Sequence, residues 1–221
     1  MAANKARNEA ASESGTARRT RSNGEQSRQR ILDAATEVAT ERGYEGTTIS
    51  LVSKKSGLPP TSIYWHFADK DDLIAAVIER SFGQWMAALD LPGGDEARAR
   101  AIELGTQVAK ALLDAPDFLR LGLMLALERR PVEPRAREMF LQVRADAFSR
   151  FSDIVRDIAP ELDHESVDLI TTYALAGTDG LFIAKEIGGD SVDLIKLFDL
   201  HARLVFDAAV KLLADSKDEA S

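Results

Sequence analysis

The chain has no cysteine and only three histidines in 221 residues. Disulfides and thiolate metal sites are therefore excluded, and an imidazole-rich metal centre has little to draw on. A chain without cysteine also suits a reducing compartment, and the cytoplasm is the expected location. No apolar run approaches the ~20 residues that cross a bilayer, and the run at residues 122–127 is only core-sized, so no membrane partner is expected. The first 24 residues lack an apolar stretch, so no secretory signal is expected. There is no Gly-rich phosphate loop and no cysteine nucleophile. A di-iron carboxylate bundle needs two Glu-x-x-His pairs and two further Glu on facing helices. This chain has one such spacing, Glu161-x-x-His164, beside Pro160 at a helix start. Neither an enzyme nor a cofactor nor a metal site is expected.

A basic excess is lacking too: the net charge is -8. Its distribution matters more than its sum. Residues 1–80 hold 12 Lys+Arg against 11 Asp+Glu, whereas residues 81–221 hold 16 against 25. Only the N-terminal part can meet a polyanion, which points to a division of labour between two regions.

What is present is helical periodicity throughout, with no strand-like alternation and no internal repeat. Residues 1–24 are rich in Ala, Ser, Asn, Glu and Arg, carry no aromatic residue, and are expected to form a disordered basic arm. Its Arg18-Arg19-Thr20-Arg21 cluster could lie along a minor groove. From residue 25 to 42, Ile31, Leu32, Ala35, Val38 and Ala39 repeat at helical spacing, and Gly43 is a natural stop. Thr48 is a good N-cap for a second helix that ends near Gly57. Pro60 opens a third, since a first helical turn needs no N–H from it. Asp69 caps a fourth helix from about Lys70. Leu91-Pro92-Gly93-Gly94 breaks the chain. Five further helices are expected over about 95–114, 116–129, 134–158, 163–187 and 192–214. The fold class is all-α with about nine helices: an N-terminal three-helix helix-turn-helix module over 25–72, a C-terminal helical bundle over 73–214, and a tail over 215–221.

Residues 44–80, YEGTTISLVSKKSGLPPTSIYWHFADKDDLIAAVIER, carry the most information. A short helix, a turn containing Gly57 and a helix opening on Pro60 form the helix-turn-helix plan, whose second helix enters a major groove. Thr61 and Ser62 are short and polar, suited to bases or phosphates. Tyr64 and His66 are placed to reach phosphate oxygens if Ile63 and Phe67 are buried, while Trp65 suits either core or phosphate. Lys70 adds a cation at a helix start that already favours phosphate.

The G-L-x-x-x-S-I-Y-x-H-F core followed by x-x-K-x-x-L resembles the DNA-binding domain of TetR-type (tetracycline-repressor-like) transcriptional regulators, over about residues 28–80. The resemblance implies a homodimeric DNA-binding protein, usually a repressor, released from its operator by a small ligand. Matched position by position, the family's DNA-contacting sites fall on Thr48, Ser50, Pro60, Thr61, Ser62, Tyr64, Trp65, His66 and Lys70. Ser50 and Pro60 stand where many members carry longer, often charged side chains, so direct base readout is expected to be thin. Phosphate contacts, DNA shape and the Arg-rich arm should then carry more of the recognition. A regulator without a small-molecule inducer, controlled by a protein partner or acting as an activator, fits the same residues.

Beyond residue 92 the residues themselves lead. The last two helices carry apolar stripes on more than one face, so two copies of the pair should form a four-helix interface. Leu181, Leu197, His201, Leu204, Val205 and Ala208 are its expected members, with His201 a satisfied interface or core residue. Trp85, Met86, Phe118, Met124, Phe140 and Tyr173 are candidate pocket surface for a small apolar or amphipathic ligand. Asp179 is a candidate anchor or a structural tie between helices, because a carboxylate inside so apolar a helix must be paired.

Overall fold

In the computed structural model the described residues are 2–89, 96–128 and 134–219, with side chains described for 23–89, 96–128 and 134–215. Among the described residues there are nine α-helices, a single 3-10 turn at Gly189–Ser191 and no strand. Contacts group residues 1–77 with 134–136 as one unit, and residues 78–133 with 137–221 as a second. The division falls inside the fourth helix at 77/78, not at the expected 72/73.

In the first unit, α1 (Ala2–Gly46) carries the N-terminal core stripe, α2 (Ile49–Ser56) and α3 (Pro60–His66) form the helix-turn-helix, and α4 (Lys70–Ala87) starts. The segment over 1–24, expected to be disordered, has a helical backbone continuous with α1. Its Ala, Glu, Arg and Lys residues favour a helix and no proline interrupts it. The arginine cluster at 18–21 lies outside the described side chains. Gly43 (φ 67°) leaves helical geometry where a stop was expected, and only a short turn follows it. The Thr48 hydroxyl accepts the Leu51 N–H at 3.2 Å, starting α2. At the other end Gly57 sits at φ 67° and donates its N–H to Ser53 O, a left-handed C-cap that a β-carbon would strain. The Arg30 guanidinium donates to Ser56 O at 2.7 Å, placing a cation on the negative end of α2. Ile31, Leu32, Val52, Ile63, Phe67, Leu73 and Ile74 bury together as the core of this unit. Burying each large side chain contributes about 1.5–3 kcal/mol. They fix which side of α3 is left for solvent.

The second unit holds the end of α4 and α5 (Ala97–Asp114), α6 (Asp117–Leu127), α7 (Arg135–Ile158), α8 (His164–Gly188) and α9 (Leu194–Glu219). Asp163 caps α8 by accepting the Ser166 N–H at 2.7 Å. Helix α9 packs on α5 and α8, with Phe198 fully buried. It runs on to Glu219, past the expected start of a tail at 215, because no glycine or proline stops it. By length and composition alone, the span from α8 through the 3-10 turn (164–191) is long and apolar enough to cross a membrane. Its charges sit near its ends or, in the case of Asp179, in an ion pair. Arg144 of α7 holds Asp179 of α8 through two hydrogen bonds of 2.8 and 3.1 Å.

Candidate nucleic-acid interface and ligand cavity

Burial of Ile63 and Phe67 turns the rest of α3 outward. Of the nine positions expected to meet DNA, Thr48, Ser50, Pro60, Thr61, Tyr64 and Trp65 are exposed, while Ser62, His66 and Lys70 are half-buried. Tyr64 is 55% exposed and Trp65 77%, which places Trp65 outside the core. The Trp65 and His66 rings meet edge to face with centroids 4.7 Å apart. Partial burial, and then the Arg28 cation, hold the His66 imidazole below its ordinary pKa. At neutral pH it therefore acts as a neutral hydrogen-bonding ring rather than a cation. Arg28 itself lies over the Phe67 ring, 5.4 Å from its centroid.

Lys70 departs from the expectation of a free ammonium aimed at phosphate. Its Nζ donates to Tyr44 O at 3.2 Å, lies 4.2 Å from the Tyr44 ring centroid and 3.7 Å from Glu45. The negative carbonyl end of α1, a ring face and a carboxylate together draw the cation inward. The hydroxyl of Tyr44 in turn donates to Asp71 at 3.0 Å. The Arg30 contact to Ser56 and the Tyr44–Asp71 contact span 26 and 27 positions of chain, so local patterns gave no sign of them.

The pocket candidates separate. Trp85, Phe118 and Phe140 are buried and Met86 is half-buried. Met124 and Tyr173 are 50% and 56% exposed, a correction: their positions fall on outward helix faces, so they do not line an interior pocket. Asp179 is a tie between α7 and α8; burial raises its carboxyl pKa, and Arg144 works against that rise. A cavity of about 340 Å3 opens instead between α5, α7, α8 and α9, lined almost wholly by apolar residues. A second void of about 10 Å3 is lined by Trp85, Phe118, Arg144, Phe151, Leu175 and Thr178, among others. The Trp85 Nε1–H is buried and has no acceptor among the described residues. Leaving such a donor unpaired costs about 1–3 kcal/mol.

The interface candidates separate as well. Leu204 is exposed, and Leu181, Leu197 and Ala208 are half-buried. His201 and Val205, both half-buried, also line the cavity. His201 turns inward because Gly177 leaves room for it: a β-carbon there would lie 2.2 Å from the imidazole Cε1. Its Nε2–H donates to Ala174 O at 3.0 Å. The exposed apolar residues on these two helices include Leu169, Tyr173, Ile183 and Ile187 of α8, with Leu200 and Leu204 of α9.

Residues 31–77 match the family model for bacterial regulatory proteins of the tetR family. The HTH-type transcriptional regulator AcrR of Shigella flexneri is 37% identical over 65 residues, 29% of this chain and 30% of that protein. The fatty acid metabolism regulator protein of Bacillus subtilis is 28% identical over 107 residues, 48% of this chain and 55% of that protein. The chain thus spans about half or less of the curated relatives it matches. The crystal structure of the transcriptional regulator FadR from Bacillus subtilis in complex with stearoyl-CoA superposes with a TM-score of 0.67, covering 80% of this chain and 96% of that one. At 19% identity that likeness is one of fold.

Proposed function

Because this chain belongs to the tetR family of bacterial regulatory proteins, we propose that it is a homodimeric DNA-binding repressor released from a palindromic operator by a small apolar or amphipathic ligand. The observation that carries the reading is the tip of α3. Two large aromatics, Tyr64 and Trp65, stand in solvent beside Thr61 over a buried apolar ring. Neighbouring exposed aromatics form a patch of the kind that marks an interaction site, and hydroxyl, indole and imidazole groups suit phosphates and sugar edges. The recognition helix has no Lys or Arg. Specificity then rests on backbone contacts and DNA shape more than on guanine readout.

Support for the dimer comes from the apolar stripe of α8 and α9. Paired with its copy, it would form a four-helix interface and place two α3 helices about 34–36 Å apart, one DNA turn. The ligand acts by preferring the conformation in which that spacing is wrong. The protein works in the cytoplasm, and partner burial rather than lipid covers α8.

Selection of bound duplexes from a random pool, with size-exclusion of the free protein, tests this. The expected result is a dimer and an inverted repeat with half-sites one turn apart. A monomer, membrane partitioning, or indifference to every duplex at low ionic strength would overturn it.

A further inference from the structure

The two voids of the second unit share a wall. Val108, Phe151 and Thr178 line both the cavity of about 340 Å3 and the small void beside Trp85. The larger one has the volume of about eleven waters, at the lower end of ligand pockets. Its lining offers little to a polar molecule. Thr178 donates its hydroxyl to Ala174 O, Thr171 meets Ser152, and His201 Nε2 is held by Ala174 O. Glu161 is the one charged side chain among the lining residues, and it is negative.

Past the shared wall the chemistry changes. The small void has the size of a single water or a single oxygen atom. It lies against Trp85, which is 4% exposed and whose N–H has no acceptor among the described residues, and against Arg144, whose charge the Asp179 carboxylate already meets. A carboxylate entering here would place a second anion on one guanidinium, with a desolvation cost that nothing repays. A carbonyl oxygen needs only a donor, and the indole supplies it. Phe151 is half-buried and forms part of the wall shared by the two spaces.

Resting on the ligand-controlled reading above, we infer that the effector is an uncharged, mainly hydrocarbon molecule of about eleven non-hydrogen atoms, seated between α5, α7, α8 and α9 with one carbonyl oxygen on the Trp85 N–H. The same geometry disfavours a free fatty acid entering carboxylate first, because the Arg144 guanidinium is already met by Asp179.

The test uses the full chain and three ten-carbon probes, 2-decanone, n-decane and decanoate, at about pH 7.5. Affinities come from ligand titrations, and the Trp85 N–H is followed in the spectrum of nitrogen-labelled tryptophan. The ketone should bind about tenfold or more tighter than either other probe, the worth of one hydrogen bond formed by an otherwise orphaned donor. It should also move the Trp85 N–H resonance downfield, a reading that needs no variant. Trp85→Phe should bring the ketone's affinity down to the alkane's. Decanoate binding as tightly as the ketone, a Trp85 resonance that ignores the ketone, or failure of all three probes to bind up to their solubility would each overturn the assignment. DNA release is read in the same titrations. Ketone binding on Trp85 without release keeps the assignment and overturns ligand control. Release by decanoate, with Trp85 unmoved, overturns the assignment and keeps ligand control.

Discussion

The two units solve opposite problems with the same secondary structure. The first folds around a small ring of apolar residues and leaves aromatics outside, at Tyr64 and Trp65. The second keeps most of its aromatics inside, where Phe82, Trp85, Phe118 and Phe151 contact one another, although Tyr173 stands exposed. It leaves aliphatic side chains outside along α8 and α9. Polar groups follow the same inversion. Those of α2 and α3 cap helices or face solvent, whereas the second unit holds a half-buried ion pair and an orphaned indole within. An exposed aromatic beside hydroxyls suits a hydrated, charged partner. An enclosed aromatic with one unmet donor suits an apolar one.

The sharpest attempt to break that contrast compares neighbours on α3. Ile63→Ala should cost about 2–5 kcal/mol, because the side chain is fully buried. Tyr64→Ala should leave the melting temperature unchanged while lowering operator affinity about tenfold or more, the scale of one or two lost contacts. Urea melts and anisotropy on the selected duplex read the two effects. A Tyr64 variant that unfolds would mean the ring is core.

Next in size is Arg144→Ala, which strands the Asp179 carboxylate and should cost about 2–3 kcal/mol near neutral pH. Burial already raises this carboxyl's pKa, so the folded state binds its proton more tightly than the unfolded state does. The penalty should therefore shrink as pH falls through that raised value and Asp179 becomes neutral. A pH series of denaturant melts checks the direction. Pairing Arg144→Met with Asp179→Leu should recover most of the loss, as expected of a pair that fixes geometry more than it stabilises.

Thr48→Ala should cost about 1 kcal/mol by removing the N-cap of α2, visible in the first unit's unfolding alone. The smallest effect is at Glu186, which receives two hydrogen bonds from Arg120 at 2.6 and 2.9 Å. The Arg120 hydrogen bond holds its pKa below the usual value near 4.5. Its stabilisation is thus fully present above that value and lost as pH falls through the lower, folded one. Both partners are about a third exposed, so screening limits Glu186→Gln to about 0.5 kcal/mol, absent in strong acid.

The helices were legible because their ends carry local chemistry. Thr48, Gly57, Pro60 and Asp69 act through neighbours within four positions, which is how capping works. The C-terminal helices also fall within a few residues of the ranges that proline and glycine marked out. What escaped notice depends on distance along the chain. Asp179 needed a partner, but nothing local pointed to Arg144, 35 positions away. The stripe containing His201 was correctly apolar, yet only the gap at Gly177 decides that the imidazole faces inward. Lys70 looked free because its acceptor, Tyr44 O, lies on another helix. Helical periodicity reports that a face is apolar, not whether a core, a cavity or a second copy covers it.

The chain's two tryptophans fall one to each unit, and their surroundings differ as much as two indoles can. Trp65, in water, should emit at long wavelength and be quenched readily by iodide. Trp85, enclosed by phenylalanines, should emit further to the blue and resist the quencher. The unlabelled protein therefore carries a two-colour optical reporter, in which arrival of a duplex and arrival of an effector dim or shift different parts of one spectrum.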